Sequence, residues 1–328
     1  MNSALLYVYF MLTEEILKLL SGQEIQYLDI PSYMNLGDHL IAHGTFTFFE
    51  KHHIKLIHSG ELKYYPKEWL EESKCFVFQG GGNWGDLYPF IHNSRKSIIK
   101  HIKHKRIIVL PQSIFYSKEK SFLEDVEFFK GCTDFHLFTR DKESFHTTRK
   151  LTKNAYLVPD MAHQLKDKLS RIASHFEDCE KETELFFLRK DNEIKGGKNS
   201  MRSHVNAIDW DYFTAPRKRH FDNLIKLRRF FIKHPLTRQF LDPGFQSWQT
   251  NSWQMLEPAI RLICRHDRII TDRLHVMLLA QMLNKNVTVL DNNLYGKLLN
   301  YYSTWSELLP NVTFADKTDC SVAVNENK

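Results

Sequence analysis

Cysteine is scarce. Five residues, Cys75, Cys132, Cys179, Cys264 and Cys320, are scattered over 328 positions, and no two form a Cys-x-x-Cys pair. That spacing argues against zinc ribbons and dithiol redox motifs. An odd, dispersed set fits free thiols in a reducing, cytoplasmic setting. Cys75 and Cys264 stand in apolar surroundings and read as buried thiols. Nucleotide fingerprints are missing too. The glycines at 80–82 are not followed by Gly-Lys-Ser/Thr, nor do they form Gly-x-Gly-x-x-Gly with an acid about twenty residues on. No compact Lys/Arg run with interleaved aromatics suggests nucleic acid as a partner. No internal repeat or low-complexity tract is present. The longest N-terminal apolar stretch, residues 4–12, is too short to span a bilayer. It has no positive flank and no cleavage site, and Glu14-Glu15 follow it, so it is not a signal peptide. Residues 3–20 read as an amphipathic or buried helix, which leaves room for peripheral contact at the inner face of a membrane.

What is present is ordinary for a globular chain: 42% hydrophobic and 26% charged residues, enough length for about two domains. The formal net charge is +6, with 17 histidines besides. A mild basic excess suits an anionic substrate or an anionic lipid surface. Basic residues gather at Arg217-Lys-Arg219 and from Lys226 to Arg229, and read as a solvated helix face. Aromatics are plentiful, 24 Phe, 13 Tyr and 6 Trp, enough for both core and a carbohydrate-facing pocket.

Short continuous apolar runs alternate with helical segments. Strands are expected at 25–30, 54–58, 75–79, 106–110, 135–139 and 154–158, with helices between them. A polar stretch follows, then a second series with strands at 185–188, 268–270 and 286–290. Buried strands alternating with helices mean parallel sheets covered on both faces. The expectation is an α/β protein of two Rossmann-like domains facing across a cleft. The N-terminal domain covers 1–165, a linker 166–182 and the C-terminal domain 183–310, and 311–328 is a polar tail. Residues 192–218 look like a loop-rich excursion around Asp209-Trp-Asp211.

In parallel α/β sheets ligands gather beyond the carboxyl ends of strands. Polar residues fall at those ends: Asn35, Gly37, Asp38, Gln79, Gly80, Gly81, Gly82, Asn83, Gln112, Ser113, Arg140, Asp160 and Arg189. Gly80-Gly-Gly-Asn83 directly follows a buried strand and reads either as a tight turn or as a substrate-facing loop. Asp38 reads as a helix N-cap or as a carboxylate aimed into the cleft. Trp84 would stack on a sugar or pack in the core. The octapeptide Arg268-Ile-Ile-Thr-Asp-Arg-Leu-His275 is the most informative. It predicts a strand handing over to a helix capped by Thr271 and Asp272, where backbone N–H groups and the helix dipole favour an anion. Arg273 and Arg189 would bind a carboxylate or phosphate with their forks, unless they serve as surface ion pairs. His275, beside Asp272 and Arg273, is the candidate general acid. His39, His43, His163 and His204 are second-rank candidates. His52-His53 could bind a metal only with further ligands.

These motifs, in order, resemble the bacterial polysaccharide pyruvyl transferases. The matching residues are Asn35-Leu-Gly-Asp38, Gly80-Gly-Gly-Asn83, Leu110-Pro-Gln-Ser113, Thr139-Arg-Asp141, Val158-Pro-Asp160, Leu188-Arg189 and Thr271-Asp-Arg-Leu-His275, covering about 35–305. The family is similar in architecture to two-domain GT-B glycosyltransferases. The resemblance implies transfer of pyruvate from phosphoenolpyruvate to two hydroxyls of one sugar, as a cyclic ketal, with release of phosphate, in exopolysaccharide or capsule biosynthesis. It implies that Arg189, Arg273, Leu274 and His275 contact phosphoenolpyruvate. The acceptor would be a glycan or lipid-linked sugar. Asn35, Gly37, Gly81, Gly82, Asn83, Trp84, Gln112, Ser113, Arg140 and Asp160 are the cleft or acceptor candidates. The peculiar 192–218 segment keeps acceptor recognition from being carried over.

The chemistry can be written without a metal or other cofactor, phosphoenolpyruvate being a co-substrate. His275 protonates C3, a hydroxyl assisted by Asp38 or Asp272 attacks C2, and a second hydroxyl closes the ring. The rival readings are a GT-B glycosyltransferase using a nucleotide sugar and a glycan-binding protein without turnover.

Overall fold

Among the described residues every pairing between strands is parallel, as the continuous apolar runs require. The computed structural model describes residues 14–176, 182–190, 206–290 and 296–315. Expectations for residues 1–13, for His204 and the 192–205 part of the loop-rich excursion, and for the chain beyond 315 lie outside that set.

The first sheet holds seven strands: β1 (Glu24–Leu28), β2 (Lys55–Gly60), β3 (Cys75–Phe78), β4 (Gly81–Gly85), β5 (Arg106–Phe115), β6 (Asp134–Thr139) and β7 (Asn154–Leu157). Their order is β2-β1-β3-β5-β6-β7, with β4 also paired to β5. Helices α1 (Leu36–Lys51), α2 (Pro89–Ile102), α3 (Glu119–Lys130) and α4 (Lys142–Leu151) supply crossovers. The order reverses between β1 and β3, and such a reversal opens a crevice at the strand carboxyl ends. Phe76, Phe78, Trp84, Ile99, Val109 and Leu137 belong to the core under this sheet.

Two expectations change here. From Gly81 on, the glycine-rich stretch is not a loop but strand β4, running beside the second half of β5. Gly80, just before it, and Gly85, at its end, answer to that close approach. A Cβ on Gly80 would stand 2.7 Å from the Pro111 carbonyl oxygen, and one on Gly85, at φ +99, 2.0 Å from that of Phe115. Likewise Pro111-Gln-Ser113 does not end β5. The strand runs on to Phe115, and the register slips between Val109 and Gln112, where proline has no N–H to give.

The second sheet is β11-β10-β9-β8, built from β8 (Glu182–Phe187), β9 (His266–Thr271), β10 (Asn286–Val289) and β11 (Val312–Phe314). Its helices are α5 (Lys166–Ser174), α6 (Trp210–Thr214), α9 (Leu274–Met282) and α10 (Lys297–Trp305). The stretch expected to be a linker therefore opens with a helix and ends in a strand. The expected polar tail contributes β11.

The chain groups into two compact units: residues up to Gln164 with Lys218–Ser252, and Leu165–Arg217 with the residues from Trp253 onward. Helices α7 (Lys218–Lys233) and the first part of α8 (Gln246–Cys264) thus belong to the first unit, not to the second as a simple succession would have it. Side chains explain why. Trp248 Nε1 donates to the Pro31 carbonyl at 2.8 Å, Arg228 donates to the Ser59 carbonyl at 2.7 Å, and Arg229 pairs with Glu61. His39 and His43 both reach the Ser252 hydroxyl, at 2.8 and 3.0 Å.

Candidate active site

The predicted site residues fall into separate groups. In the first unit, α1 is capped by Asn35, not Asp38: Asn35 Oδ1 accepts from the Gly37 N–H at 3.1 Å. Asp38 lies in the first turn, where its carboxylate suits the dipole. Its Oδ2 accepts from Tyr33 Oη and from Asn35 Nδ2, both at 2.9 Å. A Cβ on Gly81 would approach Asp38 Oδ1 at 3.5 Å, so Gly81 borders the same carboxylate.

Close by is a group the sequence reading missed. Asp29, just past β1, holds a left-handed φ of 72°. Arg95 of α2, fully buried, donates to Asp29 Oδ2 through Nε and Nη2, and to the carbonyl and side-chain oxygens of Asn83. Burial pushes the Asp29 carboxyl upward against the pull of Arg95, and the charge on Asp38 adds to the push. The only sequence signal was an acid at the end of a buried strand. Asn83 is therefore an internal partner of Arg95. Trp84 is 1% exposed and tilted against Phe129 in the core, so it has no ring face for a sugar.

Ser113, Arg140, Asp141 and Asp160 form a buried network. Arg140 donates from Nε to Ser113 Oγ at 2.9 Å and from Nη1 to Asp160 Oδ2 at 2.5 Å, and Ser113 Oγ donates to Asp141 at 2.8 Å. Gln112 is buried and donates to the Gln79 carbonyl at 2.7 Å. These residues tie together the carboxyl ends of β5, β6 and β7.

In the second unit the octapeptide forms the end of β9 and the start of α9, with different capping from that expected. The N-cap residue is Arg273, which makes no side-chain cap. Thr271 Oγ1 donates to the Phe187 carbonyl at 2.7 Å and accepts from the Arg273 N–H at 3.0 Å, bridging β9 to β8. Asp272 is buried, and its Oδ1 accepts from the Arg189 N–H at 2.7 Å. It fastens the end of β8 to the turn. Arg189 and the 272–275 turn are brought together by this bond. Leu274 is buried at the first helical position. His275 is half-buried, and is the one residue from Thr271 to Leu283 that is not buried.

Arg273 has a partner the sequence reading did not assign. Its Nε and Nη2 donate to the two oxygens of Asp209, at 2.8 and 2.5 Å. Asp209 also accepts from the N–H groups of Lys190 and Trp210, at 2.8 and 2.7 Å. One carboxylate thus joins the end of β8, the start of α6 and the cation that precedes His275. Such a bidentate pair fixes the plane of a guanidinium. No local spacing announces it, since Asp209 lies 64 residues before its partner.

A turn that offers helix N–H groups, two arginines and a half-exposed histidine can hold a small anion and pass it a proton. Comparison with known proteins decides the family. The polysaccharide pyruvyl transferase family model matches residues 35–293. The chain belongs to the polysaccharide pyruvyl transferase family. Among its relatives, the Bacillus subtilis protein named "Putative pyruvyl transferase EpsO" is 32% identical over 290 residues, covering 88% of this chain and 87% of that one. General stress protein 30 of the same organism is 27% identical over 304 residues, covering 88% and 80%. The fold is shared with a crystal structure of a functionally uncharacterised Klebsiella pneumoniae protein: TM-score 0.61, 18% identity, 96% of this chain and all of that one. Family membership makes the chain a transferase, and the matched region contains every site residue expected from the sequence.

Proposed function

We propose that this transferase moves a pyruvyl group from phosphoenolpyruvate to two hydroxyls of one sugar, forming a cyclic ketal and releasing phosphate. The observation that carries the reading is the β9–α9 turn, where His275 alone escapes burial beside Arg273 and Arg189. Arg273 and Arg189 would neutralise the carboxylate and phosphate of the donor, helping phosphate to leave through preorganised charge. Asp209 supports this by holding Arg273 in one orientation.

His275, as imidazolium, gives a proton to C3, and the electron pair of the enol double bond forms the new C–H bond. The cation left at C2 accepts a sugar hydroxyl. The C2–O bond to phosphate then breaks, and the second hydroxyl closes the ketal on C2. Of the two hydroxyl protons released, one replaces the proton that His275 supplied and the other leaves with phosphate. Two hydroxyls on one bound sugar make ring closure effectively unimolecular.

The test is the choice of donor. Purified protein is incubated with a glycan acceptor and either phosphoenolpyruvate or nucleotide sugars. Phosphate release and a new ketal methyl resonance are expected with phosphoenolpyruvate alone. Release of a nucleotide instead would make the protein a glycosyltransferase.

A further inference from the structure

The chain's excess positive charge is concentrated in one place. Residues 218–240 contain seven Lys/Arg and one acid, Asp222, a net +6 equal to that of the whole chain. This stretch is α7 followed by a 3-10 segment, Pro235–Phe240. The two are clasped together: Thr237 Oγ1 donates to the Phe231 carbonyl at 2.8 Å and Arg238 Nε to that of Ile232 at 2.7 Å. The face of α7 toward the first unit is set by buried Phe221, Ile225, Arg228 and Ile232.

The opposite face is unusual. Leu227 and Phe230 are 57% and 55% exposed, and Leu236 and Phe240 of the 3-10 segment 86% and 73%. Monomeric proteins rarely leave four large apolar side chains this open within fourteen residues unless the surface has a partner. Exposed Arg219, Lys226 and Lys233 recur every seven residues along α7, close to two helical turns, so they line one side of it beside Phe230. Arg228, Arg229 and Arg238 are engaged inward or with Glu61 and Glu68. Exposed apolar side chains beside a row of Lys and Arg, on an amphipathic helix and the 3-10 segment that follows it, match the interfacial zone of an anionic bilayer, where acyl chains lie beneath negative headgroups.

We propose that the outer face of α7 and the segment 235–240 docks this protein on anionic lipid. Leu227, Phe230, Leu236 and Phe240 enter the headgroup boundary, and Arg219, Lys226 and Lys233 meet lipid phosphates. The inference stands on this surface and not on pyruvyl transfer, and it would bring the enzyme to acceptors carried on lipid.

Flotation of the full chain with vesicles tests it without any substrate. Wild type is expected to float with equal parts phosphatidylcholine and phosphatidylglycerol, to stay behind with phosphatidylcholine alone, and to detach as salt rises. The quadruple variant L227S/F230S/L236S/F240S should lose binding roughly ten-fold or more, as should R219E/K226E/K233E. Each variant's circular dichroism and melting temperature establish that it is folded. A variant that does not fold is replaced by the single changes F230S and F240S, for which a several-fold loss is expected. Three results overturn the proposal: wild type that ignores anionic vesicles, folded variants that float like wild type, or a wild type that dimerises through this face without binding lipid.

Discussion

At the scale of single residues, the proposed donor site depends on one carboxylate outside the octapeptide. Asp209 takes both Nε and Nη2 of Arg273, and two backbone N–H groups as well. Replacing it with asparagine keeps the shape but removes the charge and one acceptor. If Arg273 receives the donor's anionic end, Asp209→Asn should raise KM for phosphoenolpyruvate roughly ten-fold, about 1.4 kcal/mol, with little change in KM for the acceptor. Steady-state kinetics with each substrate varied in turn gives both values. An unchanged KM for phosphoenolpyruvate removes Asp209 from donor binding. Arg273 and His275 were legible in the sequence because they share an octapeptide with a strand-to-helix handover. Asp209 was not, because contact across 64 positions leaves no mark in local spacing. The capping role expected of Asp272 was misread for a related reason. Residue type and position suggested it, while α9 is capped at Arg273 and Asp272 receives the Arg189 N–H.

At the scale of elements, α1 packs on the start of α8 through a buried polar contact. His39 Nε2–H donates to the Tyr33 carbonyl at 2.7 Å, while its Nδ1 meets the Ser252 hydroxyl and its ring lies near Trp248. Burial lowers the His39 pKa from the ordinary 6.5 to about 4, against the hydrogen bond to Tyr33, which raises it. In the unfolded chain the group titrates near 6.5. The folded state therefore binds fewer protons between these values, and stability falls as pH drops from about 6.5 toward 4. The full effect is roughly 3 kcal/mol. Thermal or denaturant melts between pH 7 and 5, above the range where ordinary carboxylates titrate, should show declining stability, and His39→Asn should flatten that slope. A pH-independent stability over this range would contradict the buried neutral histidine. The same scale shows where pattern reading works. Apolar runs such as Cys75–Phe78 and Arg106–Leu110 announced their strands. The glycines at 80–82 suggested a loop, because glycine needed for close approach of two strands looks like glycine needed for a turn. Trp84 resolved toward the core once β4 was laid against β5.

At the scale of the whole molecule, parallel α/β architecture and family were legible from the ordered motifs, each weak alone. The grouping of the chain was less so. Residues 218–252 join the first unit through Trp248, Arg228, Arg229 and Ser252, contacts that pair positions more than 160 residues apart. Nothing in a linear composition profile records such a return. Among the described residues no helix is long and apolar enough to cross a membrane. The account's central claim is that the β9–α9 turn delivers a proton to phosphoenolpyruvate from His275. It is tested most directly by phosphate release and ketal formation with His275→Ala at saturating donor and acceptor. The account predicts a fall in kcat of roughly 100- to 10,000-fold with the fold intact. A variant that forms ketal near the wild-type rate would contradict it.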